Sequence, residues 1–392
     1  MGTNILYRST LLASGTLEMP EVAPGGIATV PLPGAAEHID DQKETYLTVS
    51  FLLRHPTEWA ETGHEVAWFQ HQLSNAEKLA PPLSGAYSQL NCKELNSQTV
   101  IEGDGFSFTF DKARGYLTSW VSGGVRLLEA DSATHAAIIP SFWRPPTDND
   151  NPLSVPYWQR FGVDTLTSQL RASSVTTSDG SVVIDTVTYL SPPVLAWGYE
   201  TTTKYTIKAN GTLTIAVYLK PTGYKPDHVP RIGLDLRLPQ HFNAVKWHGL
   251  GPGESYPDKQ AAQRVGVFAA ESVADLQTPY EVPQENGNRM GTRWVTVGDA
   301  HGSAIRATAG DAAEWSDNCE RNFSWVATRQ SIKSVESAKH PCDLVEEEAT
   351  FLRLDASVAG VGTAACGPGV REDLLVQVAE AKFTFVLESL VH

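Results

Sequence analysis

The sequence predicts an all-β protein in which sheet packs on sheet, and three observations carry that prediction. Apolar residues recur at every second position in several runs, the period at which a strand buries one face. Gly, Pro and Asn-Gly signals separate those runs. Helical periodicity is scarce, and nothing alternates strand-like with helix-like segments as a doubly wound sheet would.

The runs follow one another along the chain. Leu47, Val49, Phe51 and Leu53 form the first. The stretch from Asn75 (NAEKLAPPLSGAY) is polar, carries prolines and lacks strand alternation, which marks a boundary. Phe106, Phe108 and Phe110 resume the two-residue period. At 209–212, ANGT lies between two runs rich in Thr and Tyr and reads as a hairpin turn; Leu213, Ile215, Val217 and Leu219 follow it. Ile232, Leu234, Leu236 and Leu238 form a further strand, and Phe383, Phe385 and Leu387 a last one. The best helix candidate is Gln330 to Lys339, where Ile332 and Val335 lie one turn apart. The organisation this predicts is a small β-sandwich over residues 1–75, a linker over 76–92 and a large sheet-rich domain over 93–392, about twice the mean domain size. No repeat of fixed period is seen.

The 392 residues suffice for one large or two ordinary domains. A composition 41% hydrophobic and 19% charged is that of a soluble globular protein, and a formal charge of −15 opposes binding to phosphate backbones and anionic lipid. Nucleic acid and membrane surfaces are therefore excluded as expected partners. The first residues, MGTNILYRST, show no basic start, apolar run or cleavage site, Leu6 breaks a myristoylation signal, and no segment approaches a membrane span. The expected location is the cytoplasm. Cys92, Cys319, Cys342 and Cys366 are scattered without a C-x-x-C pair and are expected to be reduced thiols. The two glycosylation sequons, at Asn210 and Asn322, are read as chance.

Paired carboxylates are the general signature of acid–base hydrolysis, but 45 acidic residues make pairs common. Asp148 with Asp150, and Glu254 with Asp258, are the pairs set among aromatic and glycine residues. Asp148 and Asp150 follow Pro145 and Pro146, which stiffen the approach. Three roles are open to them: capping turns through local amide bonds, holding a hard cation with Asn149 and Asn151, or catalysis. The cation-loop pattern fails at Pro152 and lacks its terminal Glu. The glycines of WHGLGPGESYPD at 247–258 lack the G-K-[ST] and dinucleotide spacings, so they read as turn or close-packing positions. Ten tryptophans and twelve tyrosines allow stacking on the apolar face of a sugar. For any one of them, such as Trp143, Trp158 or Trp247, burial in a core or interface is the default. There is no G-x-S-x-G elbow, His64-Glu65 lacks a second zinc-binding His, and the eleven histidines show no metal-ligand spacing.

Three long strings carry more information than any of these patterns: FWRPPTDND at 142–150, WHGLGPGESYPD at 247–258 and TPYEVPQENGNRMGTR at 278–293. Together they resemble the C-terminal region of the glycoside hydrolase family 2 β-galactosidases. Leu12 to Gly15, Val22 to Pro24, and Trp59 to His64 followed by Ala67 and Trp68 resemble the immunoglobulin-like sandwich of that family. Residues from about 93 onward resemble its last domain, a large supersandwich similar in fold to galactose mutarotases. The fold the resemblance implies is all-β, an immunoglobulin-like β-sandwich followed by a large galactose-mutarotase-like β-supersandwich.

The resemblance also implies a role. In the family the last domain helps to wall the sugar site, while the acid/base and nucleophilic glutamates lie on an upstream (β/α)8 barrel. This chain is thus expected to be a C-terminal portion or small subunit of a β-galactosidase cleaving terminal β-D-galactose, as in lactose, and inactive alone. No catalytic residue is expected on it. Pocket lining is expected from Cys366 and Gly367, in the loop 360–368, and from Asp148, Asn149, Asp150 and Asn151, with 151–156 a loop at the site mouth. Some family members carry Trp where this chain has Cys366, which leaves acceptor preference open; Cys366 also reads as a small buried hydrophobe. Mg²⁺ and Na⁺ are implied for the complete enzyme, with ligands upstream and no metal residue here. A barrel-bearing large portion and an oligomer of the complete enzyme are the implied partners. The sandwich is expected to lack its opening strands, so that its exposed edges seek a partner. Two alternatives from other classes remain: a stand-alone galactose-binding module and an aldose-1-epimerase-like protein, the latter by fold analogy alone.

Overall fold

A computed structural model describes residues 2–7, 10–18, 20–31, 44–74, 89–178, 180–310, 322–362 and 369–391. The chain divides into two compact units, Met1–Ser84 and Gly85–His392.

In the first unit, β1 (Gly2–Tyr7), β2 (Thr10–Thr16), β3 (Thr45–Leu52) and β4 (Glu65–Ser74) form one antiparallel sheet in the order β2-β1-β3-β4. Its apolar nucleus is Leu47 and Val49 with Ala13, Phe51 and Leu73, the two-residue period of β3 expressed as one face.

The second unit opens with a five-stranded meander: β5 (Asn91–Glu94), β6 (Gln98–Gly103), β7 (Phe106–Asp111), β8 (Tyr116–Ser122) and β9 (Val125–Glu129). Then come β10 (Ile138–Ser141), helix α1 (Ser154–Arg160), β11 (Thr167–Ser178), β12 (Ser181–Ser191), β13 (Trp197–Lys208), β14 (Leu213–Gly223), β15 (His228–Val229), β16 (Arg231–Pro239), β17 (Ala244–Gly251) and β18 (Arg264–Ala270). After these lie β19 (Arg289–Thr292), β20 (Trp294–Gly298), β21 (Ala304–Ala309), β22 (Phe323–Thr328), helix α2 (Ile332–Ser337), β23 (Ala349–Val358), β24 (Val376–Gln377) and β25 (Ala381–Ser389). A nine-stranded sheet runs β11-β12-β13-β14-β25-β21-β20-β17-β18, and a five-stranded sheet runs β10-β16-β23-β22-β19. Among the described residues the strands pair antiparallel, and the fold is all-β with two short α-helices.

The core follows from cross-strand register. Leu213 pairs with Leu387, Ile215 with Phe385 and Val217 with Phe383, so alternate residues of two neighbouring strands line one face. All six are at most 2% exposed, which is the outcome the alternation predicts. On the five-stranded sheet Leu234 and Leu236 of β16 stand beside Leu354 and Leu352 of β23. Aromatic contacts join the layers: Phe323 meets Phe385 edge-on at 5.5 Å, Trp247 meets Trp325 at 5.5 Å, and Phe110 of the meander meets Tyr205 at 6.0 Å. Trp143, Trp158 and Trp247 are buried in this assembly. The hairpin read at Asn210-Gly211 is present, with Gly211 at φ +81°, a conformation glycine adopts without strain.

Two helices form where few were expected. Ser331 caps α2, its hydroxyl accepting the Ser334 amide at 3.2 Å, within the segment picked out by Ile332 and Val335. The segment 151–156, expected as a loop, instead enters α1 at Ser154. Pro156 is tolerated there because it sits in the first turn, where amides have no intrahelical acceptor to lose.

Candidate functional site

The three long strings lie far apart in the chain, yet the second unit brings them to one place, together with the backbone that follows β23. Asn149 Nδ2 donates to the Val361 carbonyl at 2.8 Å. Asp258 accepts the Val361 amide on both oxygens at 3.0 Å and the Gly362 amide at 2.9 Å. The Asp148 amide donates to Gln284 Oε1, and Gln284 Nε2 returns a bond to Asp148 Oδ2, both at 3.1 Å. Ser255 and Asn288 exchange backbone and side-chain bonds at 2.8 and 2.7 Å. Four loops, 144–151, 252–260, 278–288 and 359–362, therefore form one confluence beyond the ends of β10, β17 and β23.

Beneath them lies a buried charge network. Arg144, with its side chain 1% exposed, meets Asp150 through Nη2 at 2.9 and 3.0 Å and through Nε at 3.3 Å. Its remaining donors reach the Ala359 carbonyl at 2.8 Å and the Gly360 carbonyl at 2.9 Å. Burial opposes the Arg144 charge, but the Asp150 carboxylate beside it holds the guanidinium above its ordinary pKa. Asp150 also accepts the Thr147 amide at 3.0 Å, so this carboxylate both closes a turn and neutralises a cation.

One face of the five-stranded sheet continues the network. Arg231 meets Asp355 at 2.6 Å and Asp235 at 3.0 Å. Gly233 makes room for this: a Cβ there would stand 2.4 Å from Asp355 Oδ1. Burial pushes Asp355 up to about 7, with Arg231 pulling the other way. Glu285, supplied by the 278–288 loop, sits 3.5 Å from Arg353 and accepts the Tyr256 hydroxyl at 3.3 Å. Burial raises Glu285 above the usual carboxylate range, against the opposing pull of Arg353, Arg144 and Arg231. Arg289 is lowered to about 10 by burial; it donates to the carbonyls of Leu276 and Pro252, and its guanidinium lies 5.5 Å from the Trp247 ring centre.

Nearer the surface, Glu254 accepts the Tyr280 hydroxyl at 2.6 Å and the Gly287 amide at 2.8 Å, and pairs with Lys259. Burial would raise this carboxyl, but the Gly287 amide, Lys259 and Tyr280 outweigh it and hold it below the usual range. Lys259 also donates to the Tyr280 hydroxyl at 3.0 Å.

The pairs read from the sequence are thereby separated by environment. Asp148 is exposed, whereas Asp150 two residues on is buried and held by Arg144. Asn149 is half-buried and Asn151 exposed. Glu254 and Asp258 serve two different contacts, the first with the 278–288 loop and the second with the 359–362 backbone. Cys366 and Gly367 lie outside the described residues. Sequence reasoning passed over Arg144, Arg231, Glu285, Arg353 and Asp355. Only Arg144 and Glu285 fall within the long strings, and an Arg or Asp inside a strand-period run is the signal that could have found the others. Asp150, Glu254, Asp258, Glu285 and Asp355 are each bound to a guanidinium, an ammonium or backbone amides, an arrangement that sets loops in place and leaves Asp148, Asn151 and Lys259 exposed at the rim. Among the described residues no three His, Cys, Asp or Glu side chains gather into a metal-holding group, and no helix is long and apolar enough to cross a membrane.

Comparison with known proteins places these loops in a family. A family model described as β-galactosidase small chain matches residues 102–387, and one described as β-galactosidase domain 4 matches residues 3–74. A β-galactosidase of Kluyveromyces lactis is 30% identical over 387 residues, covering 95% of this chain and 34% of that protein. One of Streptococcus thermophilus is 28% identical over 376 residues, covering 94% of this chain and 34% of that protein. The chain thus spans about a third of the length of the curated relatives it matches. Among solved structures, a galactose 1-epimerase of Lactobacillus acidophilus aligns over 78% of this chain and 99% of its own, at 8% identity and TM-score 0.39. A GalM/aldose epimerase homologue of C. elegans aligns over 74% of this chain and 98% of its own, at 10% identity and TM-score 0.39.

Proposed function

The chain belongs to the β-galactosidase small-chain family, and from that premise we propose that it forms the C-terminal portion or small subunit of an enzyme cleaving terminal β-D-galactose from β-galactosides such as lactose. The observation that carries this reading is the confluence itself: the three long strings, which lie within the residues matched by the small-chain family model and spread from Phe142 to Arg293, fold to one end of the second unit and are cross-bonded there. Residues that share a site must converge, and these do.

In this reading the chain positions rather than cleaves. The two carboxyl groups that glycoside hydrolysis requires, one to protonate the leaving oxygen and one to attack, are supplied by a barrel-bearing portion. Asp148, Asn149 and Asn151, with the 360–368 segment that contains Cys366 and Gly367, line the sugar pocket and hold galactose in a reactive orientation. Asp150 supports them from below through Arg144. Mg²⁺ and Na⁺ belong to the complete enzyme, which works in the cytoplasm as an oligomer, and no ligand to either is assigned here.

The test is hydrolysis of a chromogenic β-galactoside by the purified chain, alone and mixed with a barrel-bearing β-galactosidase portion from the same source. Activity in the mixture alone is the expected result. Activity of the chain alone would overturn the assignment of the catalytic carboxylates elsewhere. Silence in both, with galactose quenching the aromatic fluorescence of the chain, would favour a stand-alone binding module.

A further inference from the structure

A run of aromatic rings leads from the buried Arg144 to the surface of the second unit. The Arg144 guanidinium lies 5.9 Å from the Trp158 ring centre, and Trp158 Nε1 donates to His228 Nδ1 at 3.1 Å. His228 stacks on Tyr157 at 4.9 Å and 20°. Tyr157 meets Phe161 at 5.2 Å, and Phe161 meets Tyr224 at 5.8 Å. Tyr224 ends the run with 85% of its surface exposed, while Tyr157, Phe161 and His228 are half-buried. Tyr157 and Phe161 are four residues apart on α1 and its C-terminal cap, so both side chains leave the same face.

These rings are held in place. The Tyr157 hydroxyl donates to Asp227 Oδ2 at 3.1 Å and accepts the Asp227 amide at 2.8 Å. Lys225 is tied to the Val378 carbonyl at 2.6 Å, which fixes the turn bearing Tyr224. The bond from Trp158 makes His228 Nδ1 an acceptor, so the neutral ring carries its proton on Nε2. Burial lowers the pKa of His228 below its ordinary value, against the opposing pull of Asp227. The result is a fixed run of aromatic rings, tilted by 59° from Tyr157 to Phe161 and by 39° from Phe161 to Tyr224, with a carboxylate, a phenol and an imidazole beside them, a combination of apolar body and polar tip suited to a ligand of the same mixed character.

A pyranose is such a ligand, with C–H groups on its faces and hydroxyls round its rim. We propose that Tyr157, Phe161 and Tyr224, with Asp227 and His228 at their edge, form a surface saccharide-binding site for a short run of β-linked galactosyl units. The rings touch in sequence, Tyr157 to Phe161 to Tyr224, which fits consecutive sugars of a chain better than one monosaccharide. The choice of galactosyl over other sugars rests on the proposed function; the stacking platform does not. Galactose adds one favourable feature, since its axial C4 hydroxyl leaves one face of the ring apolar.

The test is affinity electrophoresis of the full chain through gels containing soluble β-1,4-galactan, a soluble β-glucan or no polysaccharide, with sedimentation of the same samples. Retardation by galactan is expected. Tyr224→Ala should weaken it about three- to tenfold, as loss of one stacked ring does, while Tyr224→Trp should retain it. Circular dichroism checks the fold of each variant, and the exposure of Tyr224 makes its loss tolerable. Absence of retardation by galactan, equal retardation of Tyr224→Ala, or retardation by the glucan alone would each overturn the proposal. So would self-association abolished by Tyr224→Ala with galactan binding unchanged, which would make the row a contact between copies. Galactan binding without hydrolysis in the complementation assay would overturn the enzymatic reading and leave this site standing; hydrolysis without galactan binding would do the reverse.

Discussion

Asp258 holds Val361 across 103 positions of sequence, both carboxylate oxygens accepting its amide at 3.0 Å while Oδ2 also takes the Gly362 amide. One side chain thus fixes the path of the backbone leaving β23. Asp258→Ala leaves two amides to find other acceptors, an expected loss of about 1–3 kcal/mol in urea unfolding. Amide exchange at Val361 and Gly362 should quicken, and Asp258→Asn, which keeps one acceptor oxygen, should fall between. Unchanged exchange in Asp258→Ala would show that the backbone holds itself.

Gly360 gives an independent probe of the same contact. A Cβ at this position would stand 2.6 Å from Asp258 Oδ2 and 2.9 Å from Val370 Cγ1. Gly360→Ala is therefore expected to destabilise the wild-type chain, and to do so less when Asp258 is already Ala, because the two changes act on one contact. Full additivity in a double-mutant cycle would place the cost elsewhere.

The fold was legible where burial is one-sided. Leu213 to Leu219 and Phe383 to Leu387 alternate because each strand has one face in the core, so the period marks the strand and its orientation together. The five-stranded sheet was less legible, because Arg231, Arg353 and Asp355 on its other face are buried too, with Asp235 half-buried beside them. Their pairing cannot be read from spacing, since Arg231 and Asp355 are 124 positions apart and meet only once β16 and β23 pair. The candidate site shows the same limit. The long strings marked its loops, but nothing local distinguished exposed Asp148 from buried Asp150, whose environment is set by Arg144 and by a β23 terminus over two hundred positions away.

The Arg144–Asp150 pair should behave as a buried ion pair does. Arg144→Met strands a carboxylate and Asp150→Leu strands a guanidinium, each at an expected cost of about 3–5 kcal/mol in chemical denaturation. The double variant should cost less than the sum of the two, since neither charge is then left alone. In the complemented enzyme, Asp150→Asn should lower chromogenic turnover along with stability, because the Ala359 and Gly360 carbonyls share the same guanidinium.

Glu254 and Asp355 tilt stability in opposite directions with pH, and two variants separate them. Glu254 has a folded pKa below its unfolded value, so between the two the unfolded chain binds more protons. Its contribution is complete above the unfolded value of about 4.3 and is lost as pH falls through the folded one. Asp355 is the reverse case: burial raises it to about 7, so the folded chain binds more protons between about 3.9 and that value, and stability declines as pH rises across the interval. Urea unfolding measured from about pH 3 to about pH 8 should therefore show Glu254→Gln losing most against the wild type at neutral pH, with the gap closing in acid. Asp355→Asn should flatten the decline between about pH 4 and about pH 7, whatever its absolute stability, because the group whose ionisation burial opposes has gone. A decline of unchanged slope in Asp355→Asn would mean that the carboxylate stays ionised beside Arg231 throughout, and that the guanidinium at 2.6 Å outweighs the cost of burial.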